Sequence, residues 1–211
     1  MRIFFSLHTS FCAVLMMICL NATGQDAAVY KAVAAELEAI GKDDQRYRDQ
    51  LDSIGEKFGM NSVEFKMLWR DIDAADAANL IKTKGILSKY GWLGPKEVGD
   101  DAHTAIFLVI QHADLATQKK YLPMFREGVT NKNGDPAYLA MLEDRVAIGS
   151  GEKQIYGSQV KCSGDKCSVS PLEDPDNVDK RRQAVGLGPL AEYLKDFGIV
   201  WDLAEYKRLH P

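Results

Sequence analysis

The chain has 211 residues, 46% of them hydrophobic, and a net charge of −4 from 26 basic and 30 acidic side chains. That length and apolar content suit one domain with a good core. Mild acidity and the lack of a basic stripe argue against a nucleic-acid surface, since "DKRRQ" is the one dense basic run.

The N-terminus reads "MRIFFSLHTSFCAVLMMICLNATGQ". One cation, Arg2, precedes an apolar stretch, and Ala22-Thr23-Gly24 supplies small residues at a cleavage point. Residues 1–24 are therefore expected to be a signal peptide, cut near Gly24, with the protein in the periplasm or secreted. The apolar part, Ala13 to Leu20, is too short for a transmembrane anchor. Lipidation at Cys19 is disfavoured by the bulky Met16-Met17-Ile18 before it. Removal takes away Arg2 alone, so the net charge moves from −4 to −5, and no stable membrane insertion is expected afterwards. Residues 25–211 form the expected single globular domain. A helical region of about 26–90 packs on a region of about 91–200 that carries the polar motifs.

Helical periodicity dominates. "DAAVYKAVAAELEAI" is a helix that Gly41 interrupts, and "DDQRYRDQLDSIGEKFG" continues as a polar amphipathic helix to about Gly59. Asn61 and Glu64 form a capping box for the helix that ends at Gly91. "DIDAAD" within it, lacking the glycine and terminal Glu of a calcium loop, reads as a solvated face. "GWLGPKEVG" is a loop. "AIFLVIQHAD" then drives a helix, about Asp100 to Ala113, into the core and ends it in Gln111, His112 and Asp114. The partial negative charge of the helix end, with Asp114 nearby, favours protonated His112. His103 lies about half a turn round from it, so the two do not make a metal pair. No HExxH is present, and no metal and no cofactor are expected. "DLATQKKYLPMFREGV" is a helix bent or broken at Pro123. Asp135 and Pro136 start the next, which runs to Gly149. On it Tyr138, Leu142 and Arg145 share a stripe, so Arg145 falls on the apolar face. It needs either an ion pair, with Asp114 or an acid of "EDPDNVD", or an anionic ligand.

A β-hairpin is expected over about 153–170. In "GEKQIYGSQVKC" alternation puts Gln154, Tyr156 and Ser158 on one face and Gln159 on the other, and Gly157 marks a bulge or close approach. Cys162 and Cys167 flank "SGDK", a tight reversal that would set the sulfurs opposite each other. Export favours a structural disulfide, the alternative being metal or redox use. After the loop "PLEDPD", Asn177 caps a short, exposed, charged helix with Asp179, Arg181 and Arg182, and short helices finish the chain. The fold class is mainly α (α+β), a helical array with one small hairpin.

The ordered set "GW…QHAD…DRV…QIYGSQ…EDPDNVDKRRQAVGLGPL…YL" resembles a bacterial family, domain-of-unknown-function family 6624, over roughly residues 30–200. The resemblance rests on Gln111, His112, Asp114, Asp144, Arg145, Gln154, Tyr156, Gly157, Gln159, Asp176, Val178, Asp179, Arg182, Gly186 and Leu187. Many members carry Thr at the position of Ser158. The family implies no activity, but it implies that these polar stretches belong together.

Three functions remain open. The first is a pocket for a small polar or anionic ligand, lined by Gln111, Arg145, Gln154, Tyr156, Gln159, Asp179 and Arg182. The second is a metal-independent hydrolase or transferase with His112 as general base and Asp114 orienting it. No GxSxG elbow supplies its nucleophile. The third is a structural or interaction module of inhibitor or immunity type, with an envelope protein as partner.

Overall fold

A computed structural model describes the backbone of residues 10–163 and 166–210, and the side chains in those spans from residue 26 onward. The signal-peptide expectation, with Cys12 and Cys19, concerns side chains outside the described residues. So does the Gly164–Asp165 reversal. The described elements are α1 (Ser10–Arg48), α2 (Leu51–Phe58), α3 (Val63–Tyr90), α4 (Pro95–Val98), α5 (Asp100–His112), α6 (Leu115–Thr130) and α7 (Pro136–Gly149). Strands β1 (Val160–Ser163) and β2 (Lys166–Val169), a 3-10 turn (Pro175–Asn177), α8 (Val178–Ala184), α9 (Leu190–Lys195) and α10 (Leu203–Leu209) follow. The fold is mainly α with a small antiparallel hairpin. Among the described residues no helix is long and apolar enough to cross a membrane.

Gly41 does not interrupt α1. A Cβ there would lie 2.9 Å from the Ala105 Cβ, so the glycine lets α1 and α5 pack closely, and the helix continues through it. Val33, Leu37 and Ile40 form the buried stripe of α1, and Asp44 extends it. The chain breaks instead at residues 49–50, before α2. The cap of α3 is Ser62 rather than Asn61, its hydroxyl accepting from the Phe65 N–H at 3.1 Å. Gly91, at φ 72°, ends α3 as expected. The loop before α5 contains the short α4, started by the Glu97 carboxylate accepting from the Gly94 N–H. α6 runs unbroken through Pro123, and Asp135 caps α7 through the Ala137 N–H at 2.7 Å.

α5 is the central helix. Ala102, Ala105, Ile106, Val109 and Ile110 are buried against α1 and its neighbours in a large apolar cluster that also holds Trp92, Phe125 and Leu142. His103 is buried there, with Nδ1 on the Leu93 carbonyl and Nε2 accepting from the Asp135 N–H. A second apolar cluster joins Val169, Leu172, Val178, Leu190, Leu194 and Tyr206. Polar groups stitch the two clusters together.

The hairpin is shorter than expected. Val160 pairs with Val169 and Cys162 with Cys167, whose sulfurs form the disulfide. Residues 154–159 are not a strand. Gln154 makes a single parallel bridge to Leu172, and the following backbone curls around the carboxylate of Asp144. The alternation read into Gln154, Tyr156, Ser158 and Gln159 therefore does not hold. Gly157 does make the expected close approach. It sits at φ 73°, and a Cβ there would be 2.9 Å from Leu190.

Candidate functional site

Two polar clusters lie at one end of the helices. The first is a network centred on Asp144, which projects from α7 and is 0% exposed. Its Oδ1 accepts from the N–H groups of Ile155 (2.7 Å) and Tyr156 (3.0 Å), and its Oδ2 accepts from the Ser158 N–H and Oγ–H, both at 2.9 Å. Gln154 is equally occupied. Its Nε2 donates to the carbonyls of Gln159 and Ser170, and its Oε1 accepts from the Gln159 N–H. The Gln159 side chain donates to Ser158 Oγ. Tyr193 donates its hydroxyl to the Ser158 carbonyl at 2.8 Å.

Arg182 is buried, not displayed on an exposed helix as the sequence suggested. It donates to the carbonyls of Gly188 and Tyr156 and stacks 5.1 Å over the Tyr193 ring. Burial lowers its pKa, and Asp179 and Asp144 pull it back up. Asp179 accepts from the Leu190 N–H at 2.7 Å, which starts α9. Asn177 makes no cap bond; its amide donates to Asp174. Gln154, Gln159, Asp179 and Arg182, four of the residues expected to line a pocket, thus spend their polar atoms on holding the second cluster to α7. Tyr156 is half-buried, and burial with nearby Glu143 and Asp144 raises its phenol pKa.

The second cluster surrounds His112 at the end of α5. Asp114 does not orient it: the Asp114 carboxylate caps α6, accepting from the Thr117 N–H at 2.7 Å. That bond holds its pKa below the ordinary value. His112 instead turns its Nδ1 onto Asp44 of α1, 3.2 Å from Oδ1 and 3.1 Å from Oδ2. Asp44 is fully buried and also accepts from Gln45 Nε2 at 2.7 Å. Burial pushes its pKa up, but the bond and charge of His112, with Arg48 and Gln45, outweigh this, and the carboxyl ends below its usual value. Arg48 grips Asp76 of α3 with two bonds of 2.8 and 2.7 Å, lies 3.6 Å from Asp44 Oδ2 and donates to the Asp44 carbonyl. Asp76 is therefore no part of a solvated face, although Asp71 and Asp73 are exposed. Asp44, Asp76 and His112 offer ligand atoms within 4.8 Å of one another, the spacing of a metal site. Arg48 already sits on both carboxylates as their cation. The His112 side chain is 18% exposed, and its Nε2 has no partner among the described residues.

Arg145 and Gln111 complete the group. Phe107 of α5 stacks on Tyr138 of α7 at 4.3 Å, and Leu115 approaches Gly149 beyond the end of α5. These two contacts bracket Gln111, His112 and Arg145 at one level. Arg145 makes neither of the ion pairs expected for it. It has no carboxylate partner among the described residues, its Nε is buried and unpaired, and its other guanidinium nitrogens make no bond. Burial lowers its pKa; the Tyr193 phenol opposes this, and the nearby Arg48 adds to it. Gln111 Oε1 is likewise buried without a partner.

Asp44, Arg48 and Asp76 escaped the sequence reading. The signal was available for Asp44: it follows Val33, Leu37 and Ile40 at helical spacing, the criterion that picked out Arg145.

The family of unknown function 6624 (DUF6624) matches residues 31–204. The chain belongs to this family. The match spans both apolar clusters and every polar residue of the two networks. No curated protein matches the chain. No solved structure matches it.

Proposed function

We propose that this member of the DUF6624 family binds a small anionic ligand at Arg145, beside Gln111 and His112. One observation carries the reading: a partly buried guanidinium with no carboxylate, whose Nε is buried and unpaired. A desolvated cation without a counter-charge is costly, and an unpaired buried donor costs about 1–3 kcal/mol more. An oxyanion supplies both the charge and the acceptor, and the planar guanidinium fork fits one well. The N-terminal sequence and the disulfide support export to an oxidising compartment, so the ligand is one met in the envelope or outside the cell.

The test is a thermal-shift panel in a zwitterionic buffer, with acetate, citrate, sulfate and phosphate against neutral sugars and amines. The full chain is expected to gain stability from anions alone, and Arg145→Met to lose that response. Stabilisation that survives Arg145→Met would place the anion elsewhere.

A second reading, a metal-independent hydrolase or transferase, draws support from the His112–Asp44 pair. A buried carboxylate on Nδ1 fixes the ring and leaves Nε2 as an accessible base. In that reading Asp44 replaces Asp114 as the positioning residue.

A further inference from the structure

Resting on the anion-binding reading, we propose that the ligand group is a dianionic tetrahedral oxyanion, a phosphoryl or sulfuryl group, held between Arg145 and protonated His112. The argument is a count of committed charges. Around His112, α1 contributes Asp44 and Arg48, and α3 contributes Asp76. At the start of α6 Asp114 is turned onto the Thr117 N–H, and Lys84 of α3 onto the Thr117 hydroxyl. α7 contributes Arg145. Both bonds to Asp76 come from Arg48, and Asp44 holds His112 and Gln45 with Arg48 alongside. No carboxylate is left for Arg145.

With His112 neutral the pocket therefore has one uncommitted positive charge. When His112 is protonated it has two, the second held in place by Asp44 on Nδ1 while Nε2–H faces outward. A monocarboxylate would use the Arg145 fork and leave Nε2 unaddressed. A tetrahedral dianion has oxygens for both walls, α5 and α7, and a further one for the Gln111 amide NH₂, which has no partner among the described residues. Binding at neutral pH then draws a proton onto His112 Nε2 from solvent, and the anion–imidazolium contact holds it there.

Sulfate is the decisive probe, because it does not itself titrate where imidazoles do. Titration calorimetry of the full chain with sodium sulfate, in buffers of different ionisation enthalpy, counts the protons taken up. Uptake of up to about one proton is expected, with affinity falling up to about tenfold per pH unit on the alkaline side. Inorganic phosphate should bind in the same way. His112→Gln should bind sulfate more weakly, with no proton uptake and a flat pH profile, and Arg145→Met should not bind it. The proton count on the unaltered chain needs no variant, so a misfolded His112→Gln does not spoil the test. Sulfate binding that needs Arg145 but takes up no proton would overturn the role of His112 and leave the anion site standing. Binding of acetate or citrate without sulfate or phosphate would make the site a carboxylate receptor and overturn the proposal. Binding of no anion would end both readings.

Discussion

Asp144 and Arg145 are neighbours in sequence with opposite fates. Both carboxylate oxygens of Asp144 are filled by donors from residues 155–158. Asp144→Ala leaves several buried donors unpaired and should cost roughly 3–5 kcal/mol in urea unfolding. Asp144→Asn should cost roughly 2–3 kcal/mol, because one side of the amide would present an NH₂ to N–H donors. Asp44 carries a pH signature. Its native pKa is lowered, so the unfolded chain takes the proton first as pH falls. The stability it contributes is present above about pH 4 and is lost as the pH drops through the lowered native value. Urea midpoints taken from about pH 7 to about pH 3 should fall less steeply for Asp44→Asn than for the unaltered chain. At this scale the sequence made Arg145 legible, since a cation on an apolar stripe stands out. It did not reveal which carboxylate His112 would choose, because Asp44 lies 68 residues away and only the packing of α1 on α5 brings it there.

Most helices were legible because their starts and stops are local: Asp135 with Pro136, Gly91 at positive φ, and the apolar periodicity of α5. Gly41 was misread as a break because propensity counts against glycine in a helix, whereas here a tertiary contact calls for it. Gly41→Leu should therefore destabilise the fold by about 1–3 kcal/mol, despite the better helix propensity of leucine, through the clash with Ala105. Equilibrium unfolding would check the sign. Residues 154–159 were misread for the opposite reason. Their alternation resembles a strand, but a buried carboxylate on another element captures their N–H groups before a neighbouring strand can. The disulfide was legible because both cysteines lie close in sequence on either side of a turn. Its small loop makes Cys162→Ser with Cys167→Ser worth a loss of only about 2 kcal/mol.

Across the whole molecule, two apolar clusters meet through the Asp144–Gln154–Arg182 network. The polar motifs that read as one pocket divide into two sets. One set is satisfied within the protein and acts as a joint. The other, Gln111, His112 and Arg145, keeps unpaired atoms at the end of α5 and α7. Side-chain chemistry alone could not separate them, because glutamine, arginine and aspartate serve either purpose; the fold separates them by which hydrogen bonds are already made. The central claim is that Arg145 is retained for a ligand at some expense of stability. Calorimetric melting of the full chain and its Arg145→Met variant in anion-free buffer tests it most directly. Met keeps the buried aliphatic stem and removes the uncompensated charge. The account predicts a melting temperature equal to or above that of the unaltered chain. A fall of more than about 4 °C would mean that Arg145 holds the fold together, and would contradict it.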